Sequence, residues 1–164
     1  MRHAESESLA PLPRATGYRF GVVVARFNDA ITSRLRDGAR EALAEAGAAA
    51  TDVEVFDVPG AFELPQAARA AAESGRFDAV VCLGCVIRGA TPHFEYISTA
   101  VAHGIQAASG ETGVPMAFGV LTTDTWAQAE ERVPPGRGNK GFEAAAAAIE
   151  MAVLFRQLRA GARQ

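Results

Sequence analysis

An apolar run at residues 79–87 is followed at once by signals for the start of a helix, and this junction strongly constrains the fold. The run is short and rich in β-branched residues, which predicts a strand covered on both faces, as in a parallel sheet. Thr91 and Pro92 then predict a helix start, because Thr is a good N-cap and Pro is favoured at the first helical position. A strand end leading into a helix N-terminus favours an anion, since free N–H groups and the helix dipole both attract negative charge. We therefore expect a phosphorylated small molecule to be processed at residues 84–96.

Three further apolar runs have the same character, and helical patterns separate them. Strands are predicted at residues 19–25, 52–58, 79–87 and 114–122. Helices are predicted from a cap at Asn28 or Asp29 to Gly47, and at residues 62–74, 91–110, 125–131 and 139–159. Thr125 and Gln128 resemble a capping box for the fourth of these helices. The alternation of strand and helix predicts a three-layer α/β/α sandwich with a mainly parallel four-stranded sheet.

The last predicted helix is apolar on two sides. One side carries Phe142, Ala145, Ile149 and Val153, and the other carries Met151, Leu154, Phe155 and Leu158. A single domain of this size has little core for two apolar faces, so the second face predicts a contact with another copy of the chain.

Length and charge exclude several classes of protein. The 164 residues predict one domain, with a polar tail at residues 1–17 that is disordered or docks on a neighbour, and a domain at residues 18–164. The net charge of -3 argues against binding nucleic acid or a membrane surface, since phosphates need a basic excess. No apolar run is long enough for a bilayer span, and the first residues lack the apolar core of a secretory signal. A cytoplasmic location is the resulting expectation.

Cys82 and Cys85 form a C-x-x-C pair inside the predicted strand. Redox pairs of this spacing sit on a turn that enters a helix, and zinc sites need further ligands. Residues three apart on a strand point to opposite faces, so we expect two buried, reduced thiols.

Five side chains near the predicted strand ends and the last loop are candidates for binding or catalysis, and each also has a plain structural reading. Phe27 could stack on a ring or staple the following helix, and Glu63 suits the first turn of a helix without any ligand. His93 could transfer protons or be a solvated surface residue. Arg132 and Lys140 flank a loop rich in Gly and Pro, where they could simply form an exposed basic loop.

Four motifs in this order resemble those of the lumazine synthase family. They are VPGAFELP (residues 58–65), GCVIRGATPHFEY (84–96), FGVLTTDT (118–125) and GNKGFEAA (138–145). The resemblance covers residues 18–159 and implies a flavodoxin-like fold. It also implies the penultimate step of riboflavin biosynthesis, in which a ribitylamino-uracil amine and dihydroxybutanone phosphate condense to 6,7-dimethyl-8-ribityllumazine. The family uses neither a metal nor an organic cofactor.

The resemblance also implies roles for individual residues. The residues expected to hold the pyrimidine are Phe27, Ala61, Phe62, Glu63, Cys85, Val86, Ile87 and Phe118. Those expected to hold the phosphate are Ala90, Thr91 and Arg132, and His93 is the expected proton-transfer residue. Arg88 and Lys140 are expected to support the site, and the family takes Phe118 and Lys140 from a neighbouring subunit.

The resemblance further implies a homo-oligomer. The family forms pentamers, and some members assemble twelve pentamers into an icosahedral shell of 60 subunits, with riboflavin synthase as a possible partner. The compact loop at residues 133–139 resembles that of the shell-forming members. A lumazine-binding or flavin-binding module without turnover, a shell protein without chemistry, and a branch making another pterin-like product are the alternative readings.

Overall fold

The computed structural model describes residues 10–162, which form a parallel sheet flanked by helices. The strands are β1 (Phe20–Ala25), β2 (Val53–Val58), β3 (Ala79–Ile87) and β4 (Met116–Thr123). The helices are α1 (Asp29–Glu45), α2 (Leu64–Glu73), α3 (His93–Thr112), α4 (Trp126–Glu130) and α5 (Lys140–Gly161). The strands pair in parallel in the order β2-β1-β3-β4, which confirms the predicted flavodoxin-like α/β class.

Helices cover both faces of the sheet, each over its own cluster of buried side chains. On one face α1 and α5 pack over a core that contains Phe20, Leu35 and Phe142. On the other face α2 and α3 pack over a core that contains Leu64 and Val101. The strand order reverses between β1 and β3, because β2 lies beside β1 on one side and β3 lies on the other. Ligands of such sheets bind outside the carboxyl ends of the strands at this reversal.

Asn139 and Gly141 fix α5 against α1. The Asn139 side chain caps α5 by accepting a hydrogen bond from the Gly141 N–H at 2.7 Å, and it donates to the Arg34 carbonyl at 3.0 Å. A Cβ on Gly141 would lie 1.9 Å from the carbonyl oxygen of Leu35, so only glycine permits this approach. This contact sets the position of Lys140, the first residue of α5.

The start of α3 differs from the prediction. The helix begins at His93 with Pro92 as its N-cap, and no side chain caps it. The prediction that Thr91 caps the helix was therefore wrong. Pro92 itself takes the cap position, where its carbonyl accepts a hydrogen bond from the Glu95 N–H at 3.1 Å, and Thr91 therefore lies one residue too early to cap the helix.

Other boundaries shift by a few residues. β4 begins at Met116 and not at residue 114, since Pro115 lacks an N–H for the ladder. The helix predicted from residue 62 begins as a 3-10 turn at Ala61–Glu63 before α2. The Thr125 hydroxyl accepts from the Gln128 N–H as predicted, but the Gln128 side chain accepts from the Asp124 N–H at 2.8 Å. The reciprocal half of the predicted capping box is thus displaced by one residue.

The described part of the predicted tail packs on the domain. Ala15 is fully buried, and its N–H donates to the Ala46 carbonyl at the end of α1 at 2.8 Å. Residues 1–9 and 163–164 lie outside the described residues. The division at residue 17, and docking of the tail on a neighbour, stay predictions.

The two predicted sides of α5 have different surroundings. Phe142, Ala145 and Ile149 are buried in the core, whereas Met151 and Leu158 are exposed. The second apolar side is therefore open to a partner. None of the helices between residues 10 and 162 has the length and hydropathy that a membrane span requires.

Candidate active site

A cleft of about 420 Å³ lies at the carboxyl ends of β1 and β3, where the strand order reverses. It brings together most of the residues predicted to bind the pyrimidine, together with one predicted phosphate ligand and the predicted proton-transfer residue. These are Phe27, Ala61, Phe62, Glu63, Cys85, Val86, Ile87, Thr91 and His93. The sheet topology thus gathers residues that are far apart in the sequence.

Two exposed aromatic rings flank this cleft. Phe27 is 71% exposed and Phe62 is 60% exposed, although both line the cleft. This exposure argues against the reading of Phe27 as a buried staple for α1. A planar heterocycle placed between the strand ends and these rings would cover apolar surface that the single chain leaves in water.

The Glu63 carboxylate is held by its own turn. Its Oε2 accepts a hydrogen bond from the Gly60 N–H at 3.1 Å. A Cβ on Gly60 would lie 3.3 Å from that oxygen, so glycine leaves room for the contact. The bond fixes the direction of a carboxylate that lines the cleft beside Phe62.

Cys85 contributes backbone and a buried thiol to the floor of the cleft. Its carbonyl accepts a 2.9 Å hydrogen bond from the Asn28 side chain. Burial raises the pKa of the Cys85 thiol to about 11 and that of the Cys82 thiol to about 12. Both sulfurs are therefore neutral near pH 7, as expected for reduced, buried cysteines. Within residues 10–162 no group of three or more His, Cys, Asp or Glu side chains is placed to hold a metal ion.

The loop between β3 and α3 borders the cleft. Gly89 and Thr91 line it, whereas Ala90 is exposed and does not. No described residue accepts a hydrogen bond from the N–H groups of residues 89–91. These groups, together with the start of α3, offer donors to an anion.

The other predicted residues lie at a second cleft of about 370 Å³, beside β4 and the start of α5. This cleft contains Phe118, Arg132 and Lys140. Arg132 Nη1 donates to the Gln128 carbonyl at 2.7 Å, and Lys140 Nζ lies 2.9 Å from Glu143 Oε2. None of these three predicted residues lines the first cleft, so a single chain does not bring Arg132 together with His93.

Sequence reasoning missed several residues that line the two clefts. Phe94 and Ile97 line the first cleft, and Glu143 lines the second. Ile97 stands one turn after His93, so its helical spacing was a usable signal. Glu143 follows Lys140 by three residues and could have been read as its ion-pair partner. The tie from Asn28 to Cys85 has no sequence signal, because it joins residues 57 apart.

Comparison with known proteins agrees with this geometry. Residues 17–156 match the family model described as 6,7-dimethyl-8-ribityllumazine synthase. A protein of Syntrophus aciditrophicus (strain SB) named 6,7-dimethyl-8-ribityllumazine synthase is 60% identical over 144 residues, covering 88% of this chain and 94% of that protein. A family match over most of the chain and identity at this level leave one conclusion. The chain belongs to the 6,7-dimethyl-8-ribityllumazine synthase family.

Proposed function

We propose that this protein is a transferase that condenses 5-amino-6-(D-ribitylamino)uracil with 3,4-dihydroxy-2-butanone 4-phosphate. The products are 6,7-dimethyl-8-ribityllumazine, phosphate and water, in the penultimate step of riboflavin biosynthesis. Membership of the family and the name of the relative from Syntrophus aciditrophicus support this reaction. The structural observation that carries the proposal is the first cleft, where exposed rings, strand-end backbone, His93 and the loop at residues 89–91 meet.

The pyrimidine would lie over the ends of β1 and β3. Phe27 would stack on the ring, and residues 61–63 would contact the ring and the ribityl chain. Backbone groups of residues 85–87 would form hydrogen bonds with the heterocycle. This arrangement tolerates Cys85, because the residue is 2% exposed and the proposed contact uses the backbone.

His93 would transfer protons during imine formation, phosphate loss and ring closure. It lines the cleft at the first position of α3. An imidazole ring carries nitrogens that can accept and donate a proton, so one side chain can accept a proton from the amine and donate one to the carbonyl oxygen. Holding the two substrates in a reactive orientation would contribute further to the rate enhancement.

The leaving phosphate would bind at the loop after β3 and the N-terminus of α3. Ala90 and Thr91 would donate backbone N–H groups, which stabilise negative charge that grows as phosphate leaves. Arg132 would add a cation. Because Arg132, Lys140 and Phe118 line the second cleft, they would reach the substrates bound to a neighbouring subunit.

The separation of the two clefts supports a homo-oligomer in which each active site lies between subunits. We infer a pentamer, with twelve pentamers forming a 60-subunit icosahedral shell. The exposed Met151 and Leu158 on α5 would be covered in the assembly. Riboflavin synthase, which consumes the product, is the proposed partner, and the cytoplasm is the proposed location.

Mixing the two substrates with the purified protein tests this function directly. The expected result is the appearance of lumazine absorbance that depends on both substrates and on the protein. Incubation with each substrate alone is the control. A protein that binds lumazine but forms none from the substrates would contradict the proposal and support the non-catalytic binding module.

A further inference from the structure

Arg88 connects three parts of the structure at the end of β3. Its Nε donates to Asp124 Oδ1 at 2.7 Å, and its Nη1 donates to Glu95 Oε1 at 3.1 Å. Its guanidinium carbon lies 4.6 Å from the centre of the Phe94 ring. Its backbone N–H donates to the Thr123 carbonyl at 2.8 Å. The side chain therefore contacts the first turn of α3 and the segment that follows β4.

These contacts join the two ends of the loop at residues 89–92. Arg88 directly precedes the loop, and Glu95 and Phe94 follow it in α3. Within the loop, the N–H groups of residues 89–91 have no acceptor among the described residues. A Cβ on Gly89 would meet nothing within 4 Å. The loop is thus held at its ends and not by packing of its middle.

We propose that Arg88 is a positioning residue that holds residues 89–92 in the conformation that binds the substrate phosphate, acting through its contacts with Glu95, Asp124 and Phe94. This inference rests on the proposed function. A guanidinium fork suits the role, because its planar donors can hold two carboxylates in a fixed relative geometry.

Arg88 is not well placed to bind the phosphate itself. It does not line the first cleft, and Asp124 and Glu95 compensate its charge. The hydrogen bonds to Asp124 and then to Glu95 raise the pKa of the guanidinium above its ordinary value. The neighbouring carboxylates would also oppose a bound anion at this side chain.

The positioning role can be separated from a role in stability. The Arg88 side chain is 45% exposed, and exposed ion pairs contribute little to the stability of a fold. Losing the side chain should therefore leave the fold intact while it loosens the loop. A loosened loop would hold the substrate phosphate less well, so KM for the phosphorylated substrate should rise. The pyrimidine contacts at residues 61–63 should stay in place.

The test compares Arg88→Ala with Arg76→Ala. Arg76 is a matched control because its side chain is 47% exposed, pairs with Glu54 and lies 4.8 Å from the centre of the Phe77 ring. It precedes β3, at the opposite end of the sheet from the cleft. We expect Arg88→Ala to raise KM for the phosphorylated substrate about tenfold. KM for the pyrimidine and the melting temperature should match those of Arg76→Ala.

Binding of inorganic phosphate, measured by broadening of its ³¹P resonance, separates this inference from the proposed function. Wild-type protein and Arg76→Ala should broaden the resonance at protein concentrations where Arg88→Ala does not. This result is expected whether or not the wild type converts the two substrates to lumazine. Asp124→Asn should cause a smaller loss in the same direction, because Glu95 and Phe94 still contact the guanidinium. Equal rises of both KM values, or phosphate binding by Arg88→Ala equal to that of Arg76→Ala, would overturn the inference.

Discussion

The side-chain amide of Asn28 donates a 2.9 Å hydrogen bond to the backbone carbonyl of Cys85, which ties the loop after β1 to the end of β3. The pairing of β1 with β3 ends at Val24 and Leu83, so this carbonyl lies beyond the last paired residue on that side. Asn28 has a φ of 62°, in the left-handed region that asparagine tolerates better than most residues. Its side chain does not cap α1 but bonds across the sheet. One asparagine therefore closes the floor of the cleft where the strand order reverses.

Replacing Asn28 should destabilise the protein and loosen this floor. Asn28→Ala should lower the free energy of unfolding by about 1–3 kcal/mol, because a buried carbonyl loses its donor. Alanine adds the strain of a left-handed conformation, about 1–2 kcal/mol. KM for the pyrimidine should rise, since Cys85 belongs to the lining of the cleft. Urea unfolding and steady-state kinetics measure the two effects.

Asn28→Gly is the matched variant, because glycine adopts the same φ without strain but also lacks the amide. It should lose the hydrogen-bond contribution alone and so lie between wild type and Asn28→Ala in stability. A glycine variant as stable as the wild type would show that the bond to Cys85 contributes nothing.

The sequence predicted the sheet well because its strands are buried on both faces. An apolar run such as residues 79–87 needs two covering layers of helices, and the alternation of elements then leaves few topologies. Because the strands are parallel, their carboxyl ends meet at one edge of the sheet. This edge therefore gathers Phe27, residues 61–63 and residues 85–87. Their proximity was therefore predictable without coordinates.

The details at the helix starts were not predictable by the same reasoning. Thr91 has the chemistry of an N-cap, but α3 begins one residue later than predicted, with Pro92 at the cap position. Asn28 also has the chemistry of a cap, yet its side chain makes no capping hydrogen bond and instead donates to the carbonyl of Cys85, which lies beyond the last residue of β3 that pairs with β1. The outcome at Asn28 depends on a carbonyl 57 residues away in the sequence, which local propensity does not contain.

Loss of His93 should slow turnover without loss of the fold. His93→Ala should lower kcat on the order of a hundredfold, the usual share of a positioned acid or base, while proximity of the substrates sustains the remainder. His103→Ala is the matched control, since His103 is exposed on the same helix and does not line the cleft. Single-turnover rates and light scattering measure chemistry and assembly. Unchanged single-turnover rates in His93→Ala would remove this residue from the mechanism.

The two thiols should resist alkylation in the folded protein. Burial raises the pKa of Cys85 to about 11 and of Cys82 to about 12, from an ordinary value of 9.0. Iodoacetamide at pH 8 should therefore modify neither residue until urea is added, as mass spectrometry would show. Rapid modification of the folded protein would contradict the burial of both thiols.

The same shifts predict a loss of stability at high pH. Above pH 9 the unfolded chain releases both thiol protons, whereas the folded chain holds them until pH rises through about 11 and 12. The contribution of the two protonated thiols to the free energy of unfolding is therefore complete below pH 9, and it is lost as pH rises from 9 through about 11 and 12. The free energy of unfolding of Cys82→Ala/Cys85→Ala should fall less steeply than that of wild type between pH 9 and 11. Parallel pH profiles for the two proteins would contradict the assignment to the thiols.

An active site built from two subunits should be restored by mixing two inactive variants. His93 lines the first cleft and Arg132 lines the second, so the proposed site takes each residue from a different chain. His93→Ala and Arg132→Ala should each be impaired alone. When the two are co-expressed in equal amounts and assemble at random, about a quarter of the sites should combine an intact His93 with an intact Arg132. The measured kcat per site should then approach a quarter of the wild-type value. Activity equal to the mean of the two separate variants would place both residues in one chain's site and contradict the shared interface.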